Sequence, residues 1–216
     1  MEVVTVVTED NSARRPASNR GSHSHDDLAV ALVNATANLV AEKGPAGFSL
    51  REVARRAGVS PAAPAHHFSN ARGLLTAVAV QGFHYLDKTM ADATVGVATP
   101  GERLVAIAAA YVDLGLRHPG HCAVMFRPDL VDRSDEAFLV ESDRPYQRLR
   151  ATMGELSEGL DPDLVDAATK TMWATLNGFV NLYISTADRL DDDPGLRQLV
   201  ATAAGILHRG TIGSQT

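Results

Sequence analysis

The sequence predicts an all-α protein of about nine helices, a small N-terminal domain followed by a larger one, divided near residue 90. Three observations carry this. Apolar residues recur three and four positions apart over long stretches. Cap residues, several with proline behind them, open those stretches, and glycine or proline closes them. No segment alternates convincingly with the two-residue period of a half-buried strand.

Residues 1–25 form a polar arm without periodicity, expected to be disordered. Its Arg14, Arg15 and Arg20 are either extra phosphate contacts or part of a plain tail. A first helix places Leu28, Leu32, Ala35 and Leu39 on one face and stops at "KGPAGF". Ser49 caps a second helix, with Glu52 three residues on as a capping box, and Gly58 ends it. Ser60 is the next cap, with Pro61 at N1, for a short helix ending near Phe68. Pro64, lacking an N–H, removes only the bond to the Ser60 carbonyl, so the first turn should be tight or irregular but not broken.

Asn70 caps a longer helix, Ala71 to about Ala93, with Leu75, Val78, Phe83 and Leu86 apolar. Thr99, Pro100 and Glu102 open the next, running to about Arg117. A short helix from about Gly120 to Phe126 and a loop, "RPDLVDR", lead to a helix from Ser134 to about Leu156, with a kink possible at Pro145. Asp161 and Pro162 open a helix to about Ala187, with Leu164, Ala168, Met172, Leu176, Phe179 and Tyr183 down one side. The last helix spans about 195–209.

The net charge of −6 is unevenly spread: residues 1–90 carry +1 and residues 91–216 carry −7. Between Lys43 and Arg72 stand Arg51, Arg55 and Arg56 against Glu52 alone. One basic window on an acidic protein suits nucleic acid, or is simply a set of solvated cations. The single cysteine, Cys122, excludes an internal disulfide and a multi-cysteine zinc site. The start "MEVVTVVTED" reads as neither signal peptide nor anchor, and no apolar run is long enough to span a membrane, so a cytoplasmic protein is expected. Absence of GxSxG, HExxH and a phosphate-binding glycine loop argues against an enzyme. No cofactor and no metal site is expected; His23 and His25 should face solvent.

In the stretch "SLREVARRAGVSPAAPAHHFSN", Leu50, Val53, Ala54 and Ala57 share the buried side of the second helix, and Arg51, Arg55 and Arg56 the outer side. Gly58 permits a sharp turn and Val59 plugs the angle, the geometry that lays a second helix in the major groove. The window from about 28 to 80 resembles the DNA-binding domain of the TetR (tetracycline-repressor) family. It carries Phe48–Ser49, Val53–Ala54, Ala57–Gly58–Val59–Ser60, His67–Phe68 and Leu74–Leu75. "RHPGHCAVMFRPDL" and "MWATLNGFVNL" resemble more weakly the C-terminal domain of the Trp-His-Gly branch, with Asn177 where the histidine would stand.

The resemblance implies a helix-turn-helix domain at 26–90 and a ligand-binding and dimerisation domain at 91–216. It further implies a homodimer on a palindromic double-stranded DNA operator, a repressor released by a small-molecule effector, with the last two helices paired across the two-fold. Candidate DNA contacts are Ser49, Arg51, Arg55, Ser60, Ala62, Ala63, His66, His67 and Arg72, with His67 equally a packing residue. Ala65 and Ala71 stand where the family usually has a tyrosine and a lysine on phosphates. Binding is therefore expected to be weaker or re-routed, and base readout is thin because Ala62 and Ala63 can only press on thymine methyls, so specificity leans on those and on DNA shape. Candidate ligand contacts are Tyr111, His118, Cys122, Met125, Phe126, Tyr146, Trp173, Asn177 and Phe179, each of which taken alone reads more readily as plain core, and the effector expected is apolar or aromatic. The alternative reading is an all-α ligand-binding or scaffold protein whose DNA contacts have decayed.

Overall fold

The computed structural model describes residues 25–185 and Thr202, and among them contains eight α-helices and no strand. These are α1 (His25–Lys43), α2 (Leu50–Ala57), α3 (Ala63–Phe68), α4 (Ala71–Ala93), α5 (Pro100–Arg117), α6 (Pro119–Met125), α7 (Glu136–Leu156) and α8 (Pro162–Ser185). The polar arm before His25 and, apart from Thr202, the helix expected at 195–209 lie outside the described residues. Among the described residues, no helix is long and apolar enough to cross a membrane.

The expected caps explain most boundaries. Asn70 accepts from the Gly73 N–H at 3.0 Å, and Thr99 and Glu102 complete a capping box at α5. Three local expectations change. Ser49 accepts from the Glu52 N–H, but the Glu52 carboxylate does not return to Ser49; it is taken by Arg55 and Arg56. Ser60 does not cap α3, which begins at Ala63. Pro64 has no N–H for the Ser60 carbonyl, so that carbonyl takes the Ala63 N–H at 3.0 Å in a tighter turn, and His66 donates to Ala62. Helix α7 starts at Glu136 rather than at Ser134, capped by Asp135, which accepts from Phe138 N–H at 2.9 Å, and the buried Pro145 lies inside that helix.

Helix α4 is the spine. Leu74, Val78, Phe83, Leu86 and Met90 are all buried, and α5, α6 and α7 pack along it while α1 and α3 hold its N-terminal end. Leu32 and Leu39 of α1 are fully buried, Leu28 and Ala35 partly. Helix α6 crosses α1 at Gly120, where an added Cβ would lie 1.9 Å from the Ala37 carbonyl oxygen. On α8, Met172 and Leu176 are buried, whereas Leu164, expected on the same apolar side, is exposed.

Candidate nucleic-acid interface and ligand cavity

Helices α2 and α3 meet across Gly58, whose φ of 70° is the left-handed conformation the sharp turn requires. Val53 and Ala54 are buried beneath, with Leu50, Ala57 and Val59 packed on the same core. The outward side presents Arg51, Arg55, Ser60, Ala62 and His66, all exposed, with Ala63 and His67 half-buried. Ser49, Arg51, Arg55 and Pro61 rim one shallow recess of about 390 Å³.

The cations are less free than their sequence suggests. Arg56, read as outward-facing, instead donates two hydrogen bonds of 2.7 Å to Glu42 of α1 and one of 3.1 Å to Glu52, pinning α2 on α1. Arg55 holds Glu52 through bonds of 2.8 and 2.7 Å, yet its side chain stays 72% exposed. Hydrogen bonds from Arg55, then Arg56, push the Glu52 carboxyl down to about 2. Arg51 makes no ion pair among the described residues. Arg72 turns away from the α2–α3 surface, its guanidinium donating to Val131 O at 2.6 Å and Pro128 O at 3.3 Å. His67 sits with its ring 5.8 Å from His66 and 6.2 Å from Phe68, against a cleft between α1, α4 and α7.

Ser69 joins α3 to α4 at φ 63°, ψ −48°, with Asn70 N–H bonded to Phe68 O at 2.7 Å, a γ-turn that a non-glycine residue adopts only under strain. The junction is tight beyond it: a Cβ on Gly73 would fall 2.2 Å from that same Phe68 oxygen. Helix α3 is thus fixed rigidly to the start of α4.

A cavity of about 1050 Å³ opens among α4, the α6–α7 loop, α7 and α8. Four of the nine candidate residues line it: Met125, Phe126, Tyr146 and Trp173. Its wall is a run of edge-to-face rings: Phe138 on Phe83 at 5.6 Å, Phe83 on Phe126 at 5.3 Å, Phe126 on Trp173 at 6.1 Å and Trp173 on Tyr146 at 5.7 Å. Pro128, Val131 and Arg133 of the loop and Arg144 of α7 complete the mouth. None of these loop and α7 residues stands out in sequence, because "RPDLVDR" shows no periodicity; the one legible signal is aromatic recurrence at Phe126 and Phe138.

The other five candidates do not line the cavity, although Tyr111 backs its wall, with its ring 5.4 Å from Trp173 and 6.5 Å from Phe126. Tyr111 is buried and donates to Asn177 Oδ1 at 2.6 Å, tying α5 to α8, and burial, then Cys122, hold its phenol well above the ordinary range. Burial pushes the Cys122 thiol up to about 12. His118 caps the α5–α6 corner and stacks on Tyr85 at 4.8 Å, while burial and then Arg117 lower its pKa. Phe179 packs on the core from α8. His121, which no sequence signal singles out, is buried, shares a 2.8 Å hydrogen bond with Gln81, and is pushed down to about 4 by burial and then His118.

The cavity and the α3–α4 junction share one connector. Loop residues 127–135 line the cavity through Pro128, Val131 and Arg133 and grip the first turns of α4 through Arg72. Thr76 of α4 accepts from Asp132 N–H at 2.8 Å and donates to Arg72 O at 2.8 Å, closing the link.

A sequence profile described as "Bacterial regulatory proteins, tetR family" matches residues 32–78, and one described as "Tetracyclin repressor-like, C-terminal domain" matches residues 104–203. No curated protein matches the chain in sequence. A Rhodococcus sp. RHA1 structure described as a protein of unknown function superposes with a TM-score of 0.71 at 25% identity, covering 91% of this chain and 98% of that one. The TetR family transcriptional regulator PfmR of Thermus thermophilus superposes at 0.63 and 21% identity, covering 82% and 97%. The transcriptional regulator FadR of Bacillus subtilis, solved in complex with stearoyl-CoA, superposes at 0.66 and 18% identity, covering 84% and 98%.

Proposed function

The chain belongs to the tetR family of bacterial regulatory proteins, non-enzymatic DNA-binding regulators, and from that premise we propose that it is a repressor released from DNA by a small-molecule effector. It binds a palindromic operator as a homodimer, with residues 26–90 as the DNA-binding domain and 91–216 as the effector and dimer domain. The observation that carries this is the exposed α2–α3 surface built on Gly58 and fixed through Ser69 and Gly73 to α4, the helix that the effector cavity also borders.

Arg51 and Arg55 supply the principal phosphate or groove contacts, Arg55 exchanging part of its Glu52 pairing for DNA. Ala62 and Ala63 press on thymine methyls. Arg72 holds the α6–α7 loop to α4, so an effector displacing Pro128 or Val131 shifts the base of the reading head. Exposed Leu164 and Leu182 stand eighteen residues, or about five turns, apart on one face of α8 with exposed Gly178 between them, which supports a helix-on-helix dimer contact. The effector is apolar or aromatic, to match the ring-lined wall.

Fluorescence anisotropy against the DNA upstream of the chain's own gene tests this, with salt varied. Sequence-preferring binding with a steep salt slope is expected, lost in Arg51→Ala and Arg55→Ala while sedimentation still reports a dimer. Flat salt dependence without sequence preference would instead favour a ligand-binding protein with decayed DNA contacts, and unchanged binding in both variants would remove Arg51 and Arg55 from the interface.

A further inference from the structure

A second cavity, of about 1080 Å³, lies on the other side of the first turns of α7, between α1, the α3–α4 junction and α7. It shares only Val140 with the aromatic cavity. Val30 on its α1 wall is 52% exposed and Val140 on its α7 wall 48%, so apolar surface is left open to water on both sides. Phe68 and Tyr85 add aromatic surface.

Its charge is one-sided. Asp135, Glu136 and Glu141 line it, and no lysine or arginine does. Asp135 is occupied as the α7 cap. Glu136 makes no ion pair among the described residues. Glu141 pairs through Oε1 with Arg144 at 2.8 Å, but its Oε2 accepts no hydrogen bond and faces only the exposed His84, whose Nδ1 is 3.5 Å away.

We propose that this cleft is a binding site for an amphipathic organic cation, its apolar or aromatic body between α1 and α7 and its charge beside Glu136 and Glu141. Aromatic faces favour a soft, weakly hydrated cation, and two carboxylates disfavour an anion of the same shape. An occupant bridges α1, the α3–α4 junction and α7, so it fixes the reading head relative to α7 from the side opposite the aromatic cavity. The site does not depend on which effector the aromatic cavity takes, nor on the operator.

Calorimetric titration with tetraphenylphosphonium and with tetraphenylborate, alike in shape and opposite in charge, tests it. One phosphonium per chain is expected, with the borate at least about tenfold weaker. Glu136→Gln with Glu141→Gln should weaken the phosphonium about tenfold, and Ala137→Arg, at an exposed position of the wall, should do so at unchanged melting temperature. Should Glu141→Gln unfold the chain, Glu136→Gln and Ala137→Arg decide. Trp173, the single tryptophan, lines the aromatic cavity, so its fluorescence should not change on phosphonium binding. Equal affinity for the two probes, indifference to all the substitutions, or a Trp173 quench that persists in Ala137→Arg would overturn the proposal.

Discussion

Arg72→Ala separates two roles for one arginine, a loop clamp and a phosphate contact. The substitution removes two hydrogen bonds, of 2.6 Å to Val131 O and 3.3 Å to Pro128 O. A bond from a charged donor contributes about 1.5–3 kcal/mol. The shorter bond here is only partly buried and the longer one exposed and beyond the usual distance range, so about 1–2 kcal/mol is expected for the pair. For a chain of this size that is a fall in Tm of about 2–8 °C. The loss should be local first: the Asp132 N–H, held by Thr76 Oγ1, should exchange with deuterium sooner, while amides in the middle of α5 keep their protection. Arg72→Lys cannot span both carbonyls and should fall between the two. The DNA salt slope should stay as in the parent chain, whereas a phosphate contact would lower it by about one. Unchanged exchange at Asp132 together with a slope reduced by one would refute the clamp.

Three further outcomes follow from single sites. Gly73→Ala drives a Cβ to within 2.2 Å of Phe68 O, so it should cost about 1–3 kcal/mol in thermal unfolding and weaken DNA binding in the anisotropy titration. Glu52, held down near 2 by Arg55 and Arg56, should titrate by carboxyl NMR well below its ordinary 4.5. Since the folded value is depressed, its stabilising contribution is complete above about 4.5 and is lost as pH falls through about 2; a midpoint near 4.5 would disprove the network. Cys122, buried with its thiol pushed up to about 12, should resist a thiol reagent at pH 8 until denaturant is added; rapid labelling of the native chain would show the α5–α6 corner to be open.

Helix existence was legible from local chemistry alone. Asn70, Thr99 with Glu102, Gly58 and Pro64 each act within one turn of chain, so their consequences need no distant partner. The apolar period placed Leu32, Leu39, Val78, Phe83 and Leu86 correctly in the core, because burial of a helix face follows its own spacing. The same locality explains the misreadings. Glu52 is at capping-box spacing, but two arginines within a turn, one of them tied to Glu42 from another helix, compete for it more strongly than a backbone N–H.

The sequence by itself determined an all-α chain, its helix-turn-helix unit and its family, since these rest on periodicity, caps and a contiguous motif. Only the tertiary structure decided which charges remain available and which residues share a cavity. Arg56 and Arg72 look like surface cations until α1 and the α6–α7 loop are brought against them. Tyr111 and Asn177 satisfy each other across α5 and α8, whereas Trp173 meets Phe126 and Tyr146 on a cavity wall. Those pairings join residues tens of positions apart, and only helix packing fixes such distances.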